Sequence, residues 1–318
     1  MRTRLTAALL GSALLLAACG GGDEPSAAAP SGGGSATSTA TVAYLPLVAV
    51  ATAFRADGEG LFADEGLDVT LEPVPGGAQA IPSLVSGDFD LIYSNYVSLI
   101  VAASKGLPLQ VVAGNDVGAD DHGIFVKAGS PITDVADLAG KRVAVNALNN
   151  LGTVLIKNLV KDAGGDPDAV QFLELPFPDM QAALDRGDID AMWQVEPFQA
   201  RALGAGATKL VDLFSGPNEG LPVAGWATTK EFAGKSPAAV AAFRTGLAGG
   251  TEALNADPSL LQQLVPTYSM VPADVVAKIS PPEFEAKADP EVLQRLADLM
   301  REFGVITEPY DVSELVAQ

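Results

Sequence analysis

The chain has 318 residues, with 39 Asp and Glu against 19 Lys and Arg, a formal charge of −20, one Cys and one His. It lacks the clustered basic side chains that hold phosphate backbones or an anionic bilayer, which excludes nucleic acid and an electrostatically bound membrane as partners. A lone His122 and a lone Cys19 form no metal-ligand set and no nucleophile–base pair, so no metal, no cofactor and no catalysis is expected, and His122 is given no role.

At the start, Arg2 and Arg4 precede an apolar run at residues 5–16 that is too short to span a bilayer, and small residues lead into Cys19. The segment resembles the lipobox of bacterial lipoproteins, with residues 1–18 as signal peptide and Cys19 as the lipidated first residue of the mature chain. An unpaired cysteine in an exported chain fits an acyl anchor better than a disulfide. Loss of Arg2 and Arg4 takes the formal charge from −20 to −22. Residues 20–40, almost wholly Gly, Ser, Ala, Thr and Pro, cannot build a core, so residues 19–40 read as anchor and flexible tether. A coil of that length spans roughly 25 Å, enough to clear lipid headgroups.

From Thr41 the pattern alternates short β-branched runs with amphipathic stretches, which points to an α/β fold. Strands are expected at 42–44, 67–71, 90–94, 109–114, 123–127, 142–146, 170–174, 190–193 and 225–229, and early helices at 49–64 and 78–85. Beyond Ser236 the chain reads as helical, at 237–255, 259–265, 273–279, 291–303 and 313–317. Ser236-Pro237 and Asp289-Pro290 are start signals, and Gly304 is a stop. One phrase occurs twice: Leu84-Val-Ser-Gly-Asp-Phe-Asp90 echoes Leu184-Asp-Arg-Gly-Asp-Ile-Asp190, each a helix ending at Gly with a strand after the second Asp. The echo suggests two similar lobes.

Several phrases together resemble the type II periplasmic binding proteins of the branch that takes sulfonates, taurine, nitrate and thiamine pyrimidine precursors. They are Gly60-Leu-Phe-Ala-Asp-Glu-Gly-Leu-Asp-Val69, Pro75-Gly-Gly77, Ser86-Gly-Asp-Phe-Asp90, Leu138-Ala-Gly-Lys-Arg-Val-Ala-Val145 and Asp190-Ala-Met-Trp-Gln-Val-Glu-Pro-Phe198. The resemblance implies a two-lobed α/β fold with two hinge crossings, a helical C-terminal segment and ligand trapped between the lobes. Lobe one is expected at 41–116 plus 224–318 and lobe two at 117–223, with hinges near 115–123 and 223–229.

In such sheets ligands lie beyond the carboxyl ends of strands, where helix N-termini leave N–H groups free. The candidate ligand-binding residues are therefore Tyr44, Gly76, Gly77, Ser94, Asn95, Tyr96, Asn146, Asn150, Thr153, Trp193, Glu196 and Trp226. The Gly76-Gly77 and Asn150 to Thr153 turns can offer backbone donors, or serve only as a turn and a cap. Trp193 and Trp226 suit a flat or apolar ligand, or pack a core; Glu196, ahead of Pro197, caps the next helix or meets ligand. None of these loops carries Lys or Arg, which disfavours a dianion and leaves room for amine or amide donors facing Glu196 or Asp116.

The expected function is capture of a small organic molecule, flat and apolar or sulfonate-like, outside the cytoplasmic membrane, by a lipid-anchored monomer that delivers it to an ABC permease. A ligand sensor that presents solute to a membrane kinase is the alternative. An enzyme of the thiamine-pyrimidine or menaquinone-pathway type is a third, set back by the export signal and by the missing cysteine-rich stretch of the pyrimidine synthases.

Overall fold

The computed structural model describes residues 38–317, so the signal segment, Cys19 and residues 20–37 of the tether lie outside the described residues. Among the described residues eleven strands occur, in chain order: β1 (Ser38–Tyr44), β2 (Leu67–Pro73), β3 (Leu91–Asn95), β4 (Leu109–Val117), β5 (His122–Val126), β6 (Arg142–Val145), β7 (Gln171–Glu174), β8 (Ala191–Val195), β9 (Thr208–Asp212), β10 (Pro222–Thr229) and β11 (Glu283–Phe284). They form two sheets, of order β11-β4-β10-β3-β1-β2 and β7-β6-β8-β5-β9. Residues 38–40, read from composition as tether, instead begin β1, because Ser38 onward pairs in parallel with β2 from Leu67.

In the first sheet β1 runs parallel to β2 and β3, while β10 lies antiparallel between β3 and β4. In the second, β6 runs parallel to β7 and β8, and β5 lies antiparallel between β8 and β9. The chain thus passes from one sheet to the other between Val117 and His122 and returns between Asp212 and Pro222. The return precedes the expected 223–229. That stretch is already β10, buried along most of its length and hydrogen-bonded on both sides, as an apolar strand in mid-sheet must be.

The repeated phrase builds the same device in both sheets. Helices Gly77–Ser86 and Phe177–Arg186 each end at a glycine in the left-handed region, Gly87 at φ 87° and Gly187 at φ 77°, a conformation that strains any side chain. The aspartate that follows locks the register of the next strand. Asp90 accepts the Thr41 N–H on its carboxylate at 2.8 Å and donates its own N–H to the Thr41 carbonyl at 2.9 Å. Asp190 does the same with Arg142, at 2.9 and 2.8 Å, and also pairs with the Arg142 guanidinium at 2.9 Å. The carboxylate therefore aligns β3 on β1 and β8 on β6, bringing both strand ends to the same level as their neighbours'.

The helices depart from the sequence expectation where glycine and proline intervene. The 49–64 stretch is two helices, Ala51–Gly58 and Leu61–Asp64, split at Gly60 (φ 74°). Pro237–Ala256 buries Phe243 against Phe62 and Trp226, at ring separations of 5.2 and 5.4 Å. Asp289 caps Pro290–Glu302 by accepting the Glu291 N–H at 2.9 Å. The 259–265 expectation holds as a helical stretch, the short α-helix Leu261–Leu264 flanked by 3-10 turns at Pro258–Leu260 and Val265–Thr267, whereas 313–317 is one 3-10 turn followed by a bridge from Val316 to Val111. β9 and β11 were not anticipated; each stands at a sheet edge, where the apolar signal is thin.

Candidate functional site

The carboxyl ends of β3 and β8 face each other across a cavity of about 490 Å³, mouth included. From the first sheet come Tyr93, Ser94 and Asn95; from the second come Trp193, Val195 and Glu196. Gly77, at the start of helix Gly77–Ser86, lies against Ser94 so closely that a Cβ there would stand 2.6 Å from Ser94 Oγ and 2.8 Å from its Cα. Only glycine lets that helix N-terminus, with its unpaired N–H groups, reach the strand end. Leu45 and Leu47, past the end of β1, supply apolar wall, and an adjoining depression shares Leu45, Leu47, Asn146 and Phe177 with the cavity.

Trp193 is buried, with Phe177 edge-on to it at 5.2 Å and His122 stacked on it at 5.9 Å. Packing fixes the ring while its indole N–H has no partner in the protein. The same holds for Ser94 Oγ, Asn146 Oδ1, Asp121 Oδ1 and His122 Nδ1, all on residues that line the cavity. Buried polar atoms normally find partners, and five such atoms on residues that line one hollow mark it as the candidate site.

Asp121 and His122, at the start of β5, and Asp116, near the end of β4, bring one ligating atom each to within 4.8 Å of one another. Asp116 Oδ1 accepts Asn115 Nδ2 at 2.9 Å and the Tyr93 hydroxyl at 3.3 Å, while Oδ2 has no donor. Burial pushes the Asp116 carboxyl up to about 7, those two hydrogen bonds working against the rise. Burial, reinforced by the charges of Asp116 and Glu196, pushes Asp121 well above the usual carboxylate range. Burial, helped by Lys209, lowers His122 to about 3, so the imidazole is neutral at physiological pH.

Glu196 has the capping role considered for it and also lines the cavity. Oε2 accepts the Ala200 N–H at 3.1 Å, and Oε1 accepts Gln199 Nε2 at 3.1 Å and the Ser280 N–H at 3.0 Å. The last bond ties the end of β8 to the C-terminal segment, and burial raises the carboxyl's pKa. Ser98 Oγ, on the helix that follows β3, donates to Asn150 Oδ1 at 3.2 Å and ties the two sheets together a second time.

Of the candidates read from the sequence, Gly77, Ser94, Asn95, Asn146, Trp193 and Glu196 line the cavity. Gly76 is the N-cap one residue earlier. Asn150 and Thr153 form a capping box on helix Leu151–Asp162, which engages Asn150 Oδ1 and Thr153 Oγ1. Tyr44 packs edge-on against Phe54 and Tyr268, and Tyr96 is buried with its phenol against Gly225. Trp226 is fully buried between Tyr93 and Phe243 and donates to Asn115 Oδ1 at 2.9 Å, so its role is core packing. The reason is strand direction: β10 is antiparallel, so its first residues, Val223 and Ala224, reach the cavity and Trp226 lies below them. The same geometry hid Asp121 and His122, which open the antiparallel β5 and so stand level with the parallel strands' carboxyl ends. Phe177 and Tyr93 carried no positional signal beyond being aromatic.

Two α/β sheets linked by two crossings, with a cavity between their strand ends, are the architecture of the type II periplasmic binding proteins. The periplasmic aliphatic sulphonate binding protein of Escherichia coli superposes with a TM-score of 0.72 at 21% identity, covering 87% of this chain and 96% of that one. A desulfurization enzyme shares the fold with a TM-score of 0.65 at 17% identity, covering 88% and 96%. In sequence, the taurine-binding periplasmic protein of Escherichia coli (strain K12) is 31% identical over 222 residues, 69% of this chain and 68% of that one. The NMT1/THI5-like family model matches residues 48–260, and the chain belongs to that family.

Proposed function

We propose that the chain is the extracytoplasmic receptor of an ABC importer, capturing a small organic solute with a flat or apolar body. The observation that carries this reading is the cavity between the two sheets with unpartnered polar atoms on Ser94, Asn146, Trp193, Asp121 and His122. Aromatic and aliphatic walls with a few convergent polar groups suit a small organic ligand. The lobes are built round the two sheets, residues 38–117 with 222–317 and residues 118–221, and solute favours closure by touching both. The Glu196–Ser280 and Ser98–Asn150 bonds belong to that closed form. Lipidation of Cys19 holds the receptor at the outer face of the cytoplasmic membrane, where a monomer meets the permease.

The reading as a receptor rather than an enzyme is supported by the sequence relative, a binding protein. A taurine- or sulfonate-like ligand is the second reading, favoured by the sequence relative. Equilibrium titration of the purified chain with sulfonates, pyrimidines, aromatic acids and amines, read by tryptophan emission and melting temperature, tests the proposal. A specific solute quenches or shifts Trp193 emission and raises the melting temperature with concentration. Turnover of a bound solute, or no response to any of them, refutes it.

A further inference from the structure

We propose that the solute is an organic cation, a protonated amine or cationic nitrogen heterocycle, whose positive charge rests against Asp121, Asp116 and His122. The proposal rests on the receptor reading and specifies the charge of its ligand.

Three observations carry it. The first is charge: Asp121 and Glu196 line the cavity and Asp116 stands behind them, all at most 3% exposed, while no lining residue is Lys or Arg. Lys209, whose charge acts on His122 and Glu196, has its Nζ on the Asp120 carbonyl and the Asp212 carboxylate. A cationic ligand supplies the counter-charge that these buried carboxyls lack. The second is hydrogen-bonding polarity. His122 Nε2 stands 3.4 Å from Asp121 Oδ2, and His122 Nδ1, Asp121 Oδ1 and Asp116 Oδ2, each able to accept a hydrogen bond, have no partner in the protein. Ammonium and amidinium groups carry several donors and no acceptor, the complement of that wall. The third is the aromatic lining, Trp193, Phe177 and Tyr93, side chains of the kind that favour organic cations over anions. A sulfonate would bring its oxygens to the same carboxyls with no basic side chain to hold it.

The test uses probes matched in shape and differing in charge: benzylamine, benzyl alcohol and benzylsulfonate, with the pyridylmethyl and butyl equivalents, and zinc chloride alone. Each is titrated into the purified full chain by calorimetry and thermal shift, with D121N and D116N alongside. The ligand-free melting of each variant shows that it folds. The expected result is that amines bind at least about tenfold more tightly than the alcohol or sulfonate of the same body, and that either substitution removes that preference. Equal or tighter binding of the alcohols or sulfonates overturns the charge assignment and leaves the receptor reading standing. Zinc binding that D121N abolishes, with no preference for amines, also overturns it in favour of a metal held by Asp116, Asp121 and His122. No response to any probe refutes both readings.

Discussion

Replacing Asp116 by Asn should stabilise the ligand-free protein at alkaline pH and leave it unchanged in acid. The side chain is 2% exposed; its Oδ1 accepts Asn115 Nδ2 and Tyr93 Oη, and its Oδ2 has no donor. Asparagine can keep the two accepted bonds and turn its amide hydrogens toward Asp121 and His122. The folded carboxyl titrates at about 7 against 3.8 when exposed, so ionising it inside the fold costs ~4 kcal/mol at pH 8, at about 1.4 kcal/mol per pH unit. The sign follows from proton linkage. A carboxyl whose folded pKa is raised gives stability that is full below 3.8 and lost as pH rises through about 7. Asp121, also raised well above the usual range by burial, loses stability in the same direction as pH rises. His122, lowered to about 3, works in the opposite sense, its contribution being full above 6.5 and lost as pH falls, but it is common to both proteins and cancels in the comparison. D116N should therefore exceed the parent by about 2–4 kcal/mol at pH 8, allowing for relaxation of the site, and the gap should close between pH 7 and pH 4. In a calorimetric scan that is roughly 4–12 °C of melting temperature. A variant no more stable than its parent at pH 8, or a gap that does not narrow on acidification, would refute the assignment of an unfavourably buried carboxylate.

The remaining predictions concern other parts of the same frame. G77A forces a Cβ to 2.8 Å from the Ser94 Cα; the helix must retreat, costing about 1–3 kcal/mol by thermal denaturation and weakening ligand binding more than stability. W193F should abolish the ligand-induced change in emission while W226F preserves it, because only Trp193 lines the cavity, and stopped-flow fluorescence of the two variants separates them. D90A and D190A each remove the carboxylate that aligns a central strand. Each should destabilise by about 1–3 kcal/mol in urea titrations, D190A more than D90A because it also removes two bonds from the Arg142 guanidinium.

How much of this was legible beforehand follows from what sequence encodes locally. The αβ alternation, the punctuation at Gly87 and Gly187 and the doubled aspartate phrase are short-range signals, and they fixed both sheets and the level of the site. Ser94, Asn95, Asn146 and Trp193 followed because each ends, or just follows, a parallel strand. Strand direction is a long-range property, set by which segments meet after the chain has crossed twice. For that reason Trp226 was drawn toward the cleft and Asp121 and His122 were passed over, although a histidine beside two carboxylates looks solvated in sequence and is 4% exposed in the fold. Burial, which gives those three groups their chemistry, is also invisible in residue order.

The placement of β10 bears on how the molecule is made. Every strand of the second sheet lies within residues 122–212, so that half can complete itself as an uninterrupted stretch emerges. The first sheet has a slot between β3 and β4 that stays vacant until residues 222–229 arrive and insert antiparallel. Until then two open strand edges face each other, the arrangement most prone to pairing with a stranger. The nascent protein is therefore most vulnerable to misassembly between delivery of Val117 and of Thr229, after which the inserted strand seals both edges at once.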